Sequence, residues 1–566
     1  MNFKRIKKWP VLITLVIAGA GIAMVSFNDA DDFKIVKNLD IFYTLFREVN
    51  LYYVDEVDPE KLVDESIDGM LESLDPYTKF ISAEEMKDFE FQTTGEYGGI
   101  GALIRKKEGR VIISEPYKGF PADKAGLKAG DVILEIEGKK ITDENLREVS
   151  DLLKGVPNTD FVITIKRPGT DKPMDKTITR EKITISNVPH YEMLEDGIGY
   201  IRLSGFTQDA GKEAEKALKS LKKEHDLNSL ILDLRDNPGG LLMEAVNVSN
   251  LFVPKNQEIV STRGKVKRWN NTYSTENNPV DTTLPLVVLV NSSSASASEI
   301  VSGSLQDLDR AVVLGQRTFG KGLVQTTRPL SYNSKLKVTT AKYYIPSGRS
   351  IQAMDYSKRN EDGSVGQIPD SLKKEFTTRK GRKVYGGGGI EPDIEVKPEQ
   401  ASKIAISLYT KNFIFDFATR FAISHDSIPQ PDEFEINDNT YGEFKTFISG
   451  KDFDYETRSE NQLEELMEIA KKEKYYQKAP EEFEALQKKL AHDKEKDLEI
   501  FQDDIRELME QEIAGRYYYQ AGKIQVGLET DKQVDKAIQI LKDKNQYDSI
   551  LAGNTNQQEK LSAAKD

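Results

Sequence analysis

The sequence predicts a multidomain α/β protein, and three observations carry that expectation. The chain has 566 residues, too many for one hydrophobic core, so three or four domains are expected. Between residues 183 and 400, apolar strand-like runs alternate with helical stretches, the succession that builds a largely parallel sheet with loops converging at strand ends. Beyond residue 400 the texture changes to long, charged helical sequence, in keeping with a mean hydropathy of −0.53.

The N-terminus comes first. Lys4, Arg5, Lys7 and Lys8 precede an apolar run over residues 11–27, and Asp29, Asp31 and Asp32 open the polar sequence that follows. A positive flank before a run of this length reads as an export signal, either cleaved or kept as a membrane anchor. Residues 1–30 are therefore expected to be a signal peptide or anchor. The expected location is the cell envelope, either periplasmic or held at the inner membrane on its periplasmic side. Cysteine is absent, which excludes disulfides, thiol catalysis and thiolate metal sites and suits an oxidising compartment.

Residues 31–90 follow as a helical segment, with Ile35, Leu39, Phe42, Leu45, Phe46 and Val49 at helix spacing. Ile67, Met70 and Leu71 continue the pattern, and Asp75-Pro76 interrupts it. Residues 91–182 turn to strands and two short helices. Tyr97-Gly-Gly-Ile-Gly101 reads as a glycine-rich loop entering a strand, and Gly98, Gly99, Ile100 and Gly101 are the candidate peptide-binding residues. Backbone amides in such a loop form a nest for a carboxylate, and the adjacent strand accepts an extended peptide by β-addition. A plain hairpin explains the glycines about as well. The segment resembles a bacterial-type PDZ domain, most specifically over residues 121–136, where a short helix turns through Gly130-Asp131 into a strand.

The alternating region spans residues 183–400. A near-continuous apolar strand at 229–234, of the kind buried on both faces, ends in Arg235-Asp236-Asn237-Pro238-Gly239-Gly240. A second, at 286–290, runs into the serine-rich turn Ser294-Ala-Ser296-Ala-Ser298-Glu299 and a helix. A third, at 311–314, precedes Phe319-Gly-Lys321-Gly-Leu-Val-Gln325. Residues 401–566 form a C-terminal helical region in which coiled-coil-like packing is a candidate arrangement, and the tail after Asn554 is expected to be disordered.

These turns carry the chemistry. A hydroxyl at a helix N-terminus faces free amides and the positive end of the helix dipole, which stabilise an oxyanion forming beside it. Ser296 has this position. Ser296-x-x-Glu299 is also a capping box, and Ser293, Ser294 and Ser298 are rival nucleophiles. Lys321 supplies a base if its amine is neutral, and an apolar pocket disfavours the ammonium. Bringing a lysine pKa from about 10.4 to about 7–8 costs about 3–5 kcal/mol. Gly320 and Gly322 permit close approach, although a surface lysine in a tight turn has the same local sequence. The glycine amides of Gly239 and Gly240, with that of Ala297, are candidate oxyanion donors, and a simple turn also explains the Asn-Pro-Gly chemistry.

Taken together, the PDZ-like segment, Asp233-Leu-Arg-Asp-Asn-Pro-Gly-Gly240, Asn291-Ser-Ser-Ser-Ala-Ser-Ala-Ser-Glu299, Thr318-Phe-Gly-Lys-Gly-Leu-Val-Gln325 and Gly386-Gly-Gly-Gly-Ile-Glu-Pro-Asp393 resemble the carboxy-terminal processing, or tail-specific, proteases of serine–lysine peptidase family S41. Order and spacing agree over roughly residues 33–397, with Ser293 standing where the family often has glycine. The resemblance implies a crotonase/ClpP-like α/β protease core with an inserted PDZ domain. It implies Ser296 as nucleophile, Lys321 as general base, Gln325 as the residue orienting the lysine, and Ala297 with Gly239 or Gly240 as oxyanion donors. Protein substrates with accessible, apolar C-termini are the implied partners, with self-association or an adaptor engaging the flanking helices.

Composition limits the alternatives. The net charge is −14 with bases and acids interleaved, so nucleic acid is not an expected partner. The four histidines, His190, His225, His425 and His492, form no HExxH motif or zinc-like cluster, and neither metal nor cofactor is expected. The rival readings are a non-catalytic envelope scaffold that binds chain ends and a crotonase-like acyl-CoA enzyme. The serine–lysine–glutamine set speaks against the first, and export with a PDZ segment speaks against the second.

Overall fold

Strand residues alternate between the two faces of a sheet, so strands that are apolar at every position must be covered twice. Ser229–Asp233 and Leu286–Val290 are buried at every position, and they lie at the centre of the fold. The structure, a computed structural model, describes residues 30–553 apart from 143–144, 358, 361–362 and 398–400. The export segment over residues 1–29 and the tail from Asn554 lie outside the described residues. No helix among the described residues is long and apolar enough to cross a membrane.

The described residues divide into two compact units, the first ending at Phe80 and the second beginning at Ile81. In the first, helices span Ala30–Tyr52 and Pro59–Glu72. Asp58 caps the second helix by accepting the N–H groups of Glu60 and Lys61, and Pro59 presets the first helical φ. Past its end, the Asp75 carboxylate accepts the N–H groups of Tyr77 and Thr78, the turn signalled by Asp75-Pro76.

The second unit is built around a six-stranded sheet in the order His190–Met193, Ile198–Arg202, Ser229–Asp233, Leu286–Val290, Val312–Gly315, Ile394–Glu395. Its first pair is antiparallel and the rest are parallel, as the strand–helix alternation predicts. Helices Ala210–Glu224, Leu242–Asn250 and Ala297–Asp307 cover one face, where Leu218, Val248 and Ile300 pack on Leu230, Leu232 and Val288. The other face, with Ile231, Val287, Leu289 and Leu314, is covered by helices Lys532–Lys542 and Lys544–Leu551 through Val534, Ala537, Ile540 and Ile550. The Tyr547 hydroxyl fixes that layer by accepting the Leu286 N–H at 2.9 Å. Each large side chain buried this way contributes about 1.5–3 kcal/mol, so the helical region completes the core of the sheet.

Residues 96–184 form a module with its own core, in which Ile113, Ile133, Val149, Ile163 and Ile165 are buried. Its entering and leaving strands, Glu96–Gly99 and Glu181–Thr184, pair antiparallel and close its neck. Helices Phe413–Ser424 and Gln502–Leu528 dock against it. Phe415 lies between the guanidinium groups of Arg105 and Arg516, at 3.9 and 4.4 Å, and Lys107 pairs with Asp416. Helices Lys403–Thr410, Asp438–Ile448 and Lys494–Ile500 gather with these two helices around Phe417, Phe444, Met509 and Ile513. This is a globular cluster and not the coiled-coil-like packing considered from sequence. Aromatic residues supply the buried contacts where sustained a and d positions are missing.

Candidate active site

The strand Leu286–Val290 delivers the serine-rich turn to the start of helix Ala297–Asp307. Burial separates the four serines. Ser294 and Ser298 are fully buried, and their hydroxyls donate to the carbonyls of Leu234 and Asn237, each at 2.8 Å. Ser293 is exposed. Ser296 is the N-cap residue, with φ +55°, a backbone region that non-glycine residues enter at a cost of about 1–3 kcal/mol.

The loop leaving Ser229–Asp233 is drawn against that helix start. Asn237 is fully buried; its side chain donates to the Leu203 carbonyl at 2.7 Å and accepts the Gly239 N–H at 2.9 Å, while its backbone carbonyl accepts the Ala295 N–H at 3.0 Å. A Cβ on Gly239 would stand 2.6 Å from the Ala295 carbonyl oxygen and 2.8 Å from the Ala297 nitrogen, so only glycine permits this approach. Gly240 packs equally tightly on the Phe206 carbonyl.

The third piece is the turn holding Lys321. Thr318 and Ile390 exchange hydrogen bonds, so the Gly386–Asp393 motif braces this turn: the Thr318 N–H donates to the Ile390 carbonyl at 3.0 Å, and the Ile390 N–H donates to the Thr318 hydroxyl at 2.6 Å. The Lys321 carbonyl accepts the Tyr343 hydroxyl, and its N–H donates to the Glu299 carboxylate at 2.8 Å. Gln325 follows on strand Leu323–Pro329, its amide donating to the Thr339 hydroxyl at 3.2 Å. Ser296, Ala297, Gly239, Gly240, Lys321 and Gln325 all line one cavity of about 940 Å³.

Residues 197–357 match peptidase family S41, residues 112–167 a PDZ domain, and residues 404–541 the family described as "Probable PDZ-protease, C-terminal helical domain". The chain is 31% identical over 419 residues to the carboxy-terminal processing protease CtpA of Bacillus subtilis, covering 71% of this chain and 87% of that protein. It is 41% identical over 321 residues to a carboxy-terminal-processing protease of Bartonella bacilliformis, covering 56% of this chain and 73% of that one. The chain belongs to the carboxy-terminal processing proteases of peptidase family S41. A solved photosystem II D1 C-terminal processing protease aligns over 64% of this chain and 93% of its own, at 29% identity and a TM-score of 0.35. This S41 peptidase is accordingly a serine-type enzyme with a PDZ domain and a helical C-terminal domain.

One residue at this candidate site escaped sequence reasoning. Glu299, read from sequence only as the partner in a capping box, is fully buried and joins the serine and lysine segments. One carboxylate oxygen accepts the Thr318 hydroxyl at 2.6 Å and the Gly320 N–H at 2.8 Å; the other accepts the N–H groups of Ser296 at 2.9 Å and Lys321 at 2.8 Å. The sequence held half the signal, since the spacing to Ser296 was visible and the bonds to residues 318–321 were not. Burial raises the Glu299 pKa from 4.5 to about 7 against the pull of these four donors.

A raised carboxyl pKa means that the folded chain holds the proton more tightly than the unfolded one. The stabilising contribution is therefore largest in acid and declines as pH rises from about 4.5 to about 7, by on the order of 3 kcal/mol. Glu299→Gln is expected to remove this slope and to turn an amide NH₂ toward N–H donors, lowering stability at every pH. Denaturant unfolding of both proteins between pH 5 and pH 8 checks it; parallel pH profiles would contradict the assignment.

In the PDZ domain, Gly98 and Gly99 sit in the strand pair at the neck, opposite Lys182 and Glu181, and not in an open loop. Gly101 takes φ +68°. Ile100 lines a groove of about 450 Å³ with Ala102, Ile104, Leu146 and Leu153. Phe91 and Ile185 line both this groove and the cavity containing Ser296.

Proposed function

We propose that this S41 peptidase is an exported endopeptidase that captures protein C-termini in its PDZ domain and cleaves nearby chain at Ser296. The observation that carries this reading is the single cavity lined by Ser296, Lys321, Gln325 and the glycine loop together. Neutral Lys321, oriented by Gln325, takes the Ser296 hydroxyl proton as the oxygen attacks a peptide carbonyl. The developing oxyanion meets the Ala297 amide at the helix start and an amide of the Gly239–Gly240 loop; because the Gly239 N–H is given to Asn237, Gly240 is the donor we favour. The lysine ammonium then protonates the leaving amine and an acyl-enzyme remains. Water adds to it, with Lys321 again accepting a proton; the lysine ammonium then gives that proton to the Ser296 oxygen as the acyl bond breaks, and the product acid departs.

The two shared residues, Phe91 and Ile185, support a path from PDZ groove to serine. The apolar lining of the groove suits substrates with apolar chain ends, and PDZ occupancy gates access to the site. The core is of the crotonase/ClpP-like kind, and we divide the chain into an export segment (1–30), a helical segment (31–90), the PDZ domain (91–182), the peptidase core (183–400) and the helical region (401–566). The enzyme resides in the envelope, free in the periplasm or anchored at the inner membrane. Its flanking helices, where Phe33, Leu39 and Phe42 are exposed, serve self-association or an adaptor.

The test is incubation of the purified chain with an unfolded protein bearing an apolar C-terminus. Cleavage is expected from the parent, none from Ser296→Ala, and a rate lowered about ten-fold when the substrate end is amidated. Equal cleavage by Ser296→Ala would remove the serine from its role.

A further inference from the structure

We infer that Asp531, in the helical region, is a positioning residue for the peptidase reaction: it holds Arg235 and, through it, the loop that ends in Gly239 and Gly240. The inference rests on the oxyanion role proposed for that loop.

Strand Ser229–Asp233 ends in a fully buried carboxylate. Asp233 accepts the Tyr200 hydroxyl, Nη1 of Arg202 and Nη2 of Arg235, each at 2.7 Å, and the backbone N–H of Arg235 at 2.9 Å. Arg235 is thus folded back on the strand end. Two residues later comes Asn237, whose side chain accepts the Gly239 N–H. The position of the arginine sets where the loop leaves the sheet.

One buried carboxylate between two guanidinium groups leaves a positive charge unmatched. Arg202 reaches Asp236 at 3.3 Å, on the exposed side. Arg235 instead reaches Asp531 at 2.6 Å and the Gln533 side-chain carbonyl at 3.1 Å. The side chains of Arg235 and Asp531 are only 12% and 17% exposed, so the pair is largely shielded from water. Removing one partner from such a pair strands the other charge, which then seeks new contacts. The other carboxylate partner of Arg235, Asp233, is already shared with Tyr200 and Arg202.

Asp531 is itself held firmly. It is the N-cap of helix Lys532–Lys542, accepting the N–H groups of Gln533 at 2.9 Å and Val534 at 3.2 Å. The helix is seated on the sheet by Val534, Ala537 and Ile540, and the Gln533 amide donates to the Val396 carbonyl at 2.9 Å. A carboxylate fixed on a packed helix sets its partner with little loss of side-chain freedom. The loop that shapes the active site is therefore braced from a segment far along the chain.

The test uses Asp531→Asn in the full chain. Asparagine caps a helix as well as aspartate does, so the helix is kept and only the charge is removed. The expected result is a fall in kcat of about ten-fold, with KM within about two-fold and the melting temperature near that of the parent. Asp531→Glu is expected to recover most of the rate. If the asparagine variant does not fold, Asp531→Ser supplies another neutral cap with the same expected result. A kcat within about two-fold of the parent overturns the inference, as does a loss that appears only in KM or that equals the unfolded fraction. Gly239→Ala, assayed beside it, separates the two readings. Full activity of Gly239→Ala removes the catalytic role of the loop; an inactive Gly239→Ala with fully active Asp531→Asn removes only the role of Asp531.

Discussion

Lys321→Ala is expected to leave a folded protein that no longer cleaves peptides, with kcat lowered by on the order of 10³- to 10⁴-fold. The fold survives because the anchoring contacts of this turn are main-chain ones. The Lys321 N–H donates to Glu299 and its carbonyl accepts the Tyr343 hydroxyl, and alanine keeps both groups. Only the amine is lost. Lys321→Arg is expected to be as inactive as the alanine variant, since a guanidinium does not release its proton near neutrality. Peptide hydrolysis measured beside thermal unfolding decides the matter. Substantial activity in either variant would transfer the role of base to another group.

The second large effect belongs to Gly239→Ala. Gly239 has φ +96°, and its missing Cβ leaves the space into which the Ser296 turn settles. Alanine there places a methyl 2.6 Å from the Ala295 carbonyl oxygen and 2.8 Å from both the Ala297 nitrogen and the Ser296 Cβ. Backbone atoms cannot rotate away, so the loop and the helix start must separate. The expected fall in kcat is about 10²- to 10³-fold, the size seen when an oxyanion donor is misplaced. Gly348→Ala is the control: φ is +84°, yet no atom lies within 4 Å of the added methyl. It is expected to carry the left-handed strain of about 1–2 kcal/mol and to keep its rate. Similar rates for the two variants would show that the contact between loop and helix start does not matter to the chemistry.

Much of this architecture could be read from periodicity. The apolar runs at 229–234 and 286–290 announce strands buried on both faces, and the alternation with helices announces parallel pairing. Periodicity reports that a face is covered and is silent on what covers it. Nothing local at Val534, Ala537 or Ile540 says that they close the far face of a sheet built from strands far earlier in the chain. For the same reason the charged region after residue 400, whose heptads are not sustained, left its packing open, and Phe417 and Phe444 meet at 5.3 Å inside a globular cluster.

At the site, motif order pointed to Ser296 and Lys321, which line one cavity, whereas the serines of the turn differ visibly only in burial. Ser294 and Ser298 look identical to Ser296 in sequence; their hydroxyls are committed to backbone carbonyls that come from a different strand loop. Glu299 shows the opposite limit. A three-residue spacing is a local signal, and the two turns it ties together lie some twenty residues apart along the chain. Likewise, Gly98 and Gly99 suggested an open loop because their pairing partners lie at the other end of the module.

The covering of the sheet by helices Lys532–Lys542 and Lys544–Leu551 has a consequence for how the enzyme comes to life. Synthesis proceeds from the N-terminus, so Ile231, Val287, Leu289 and Leu314 are made long before Val534 and Ile540. Until those helices emerge, a greasy surface stays bare and the Arg235 guanidinium lacks Asp531. The peptidase sheet therefore gains its second apolar cover and this ion pair only once the last helices of the chain have been made.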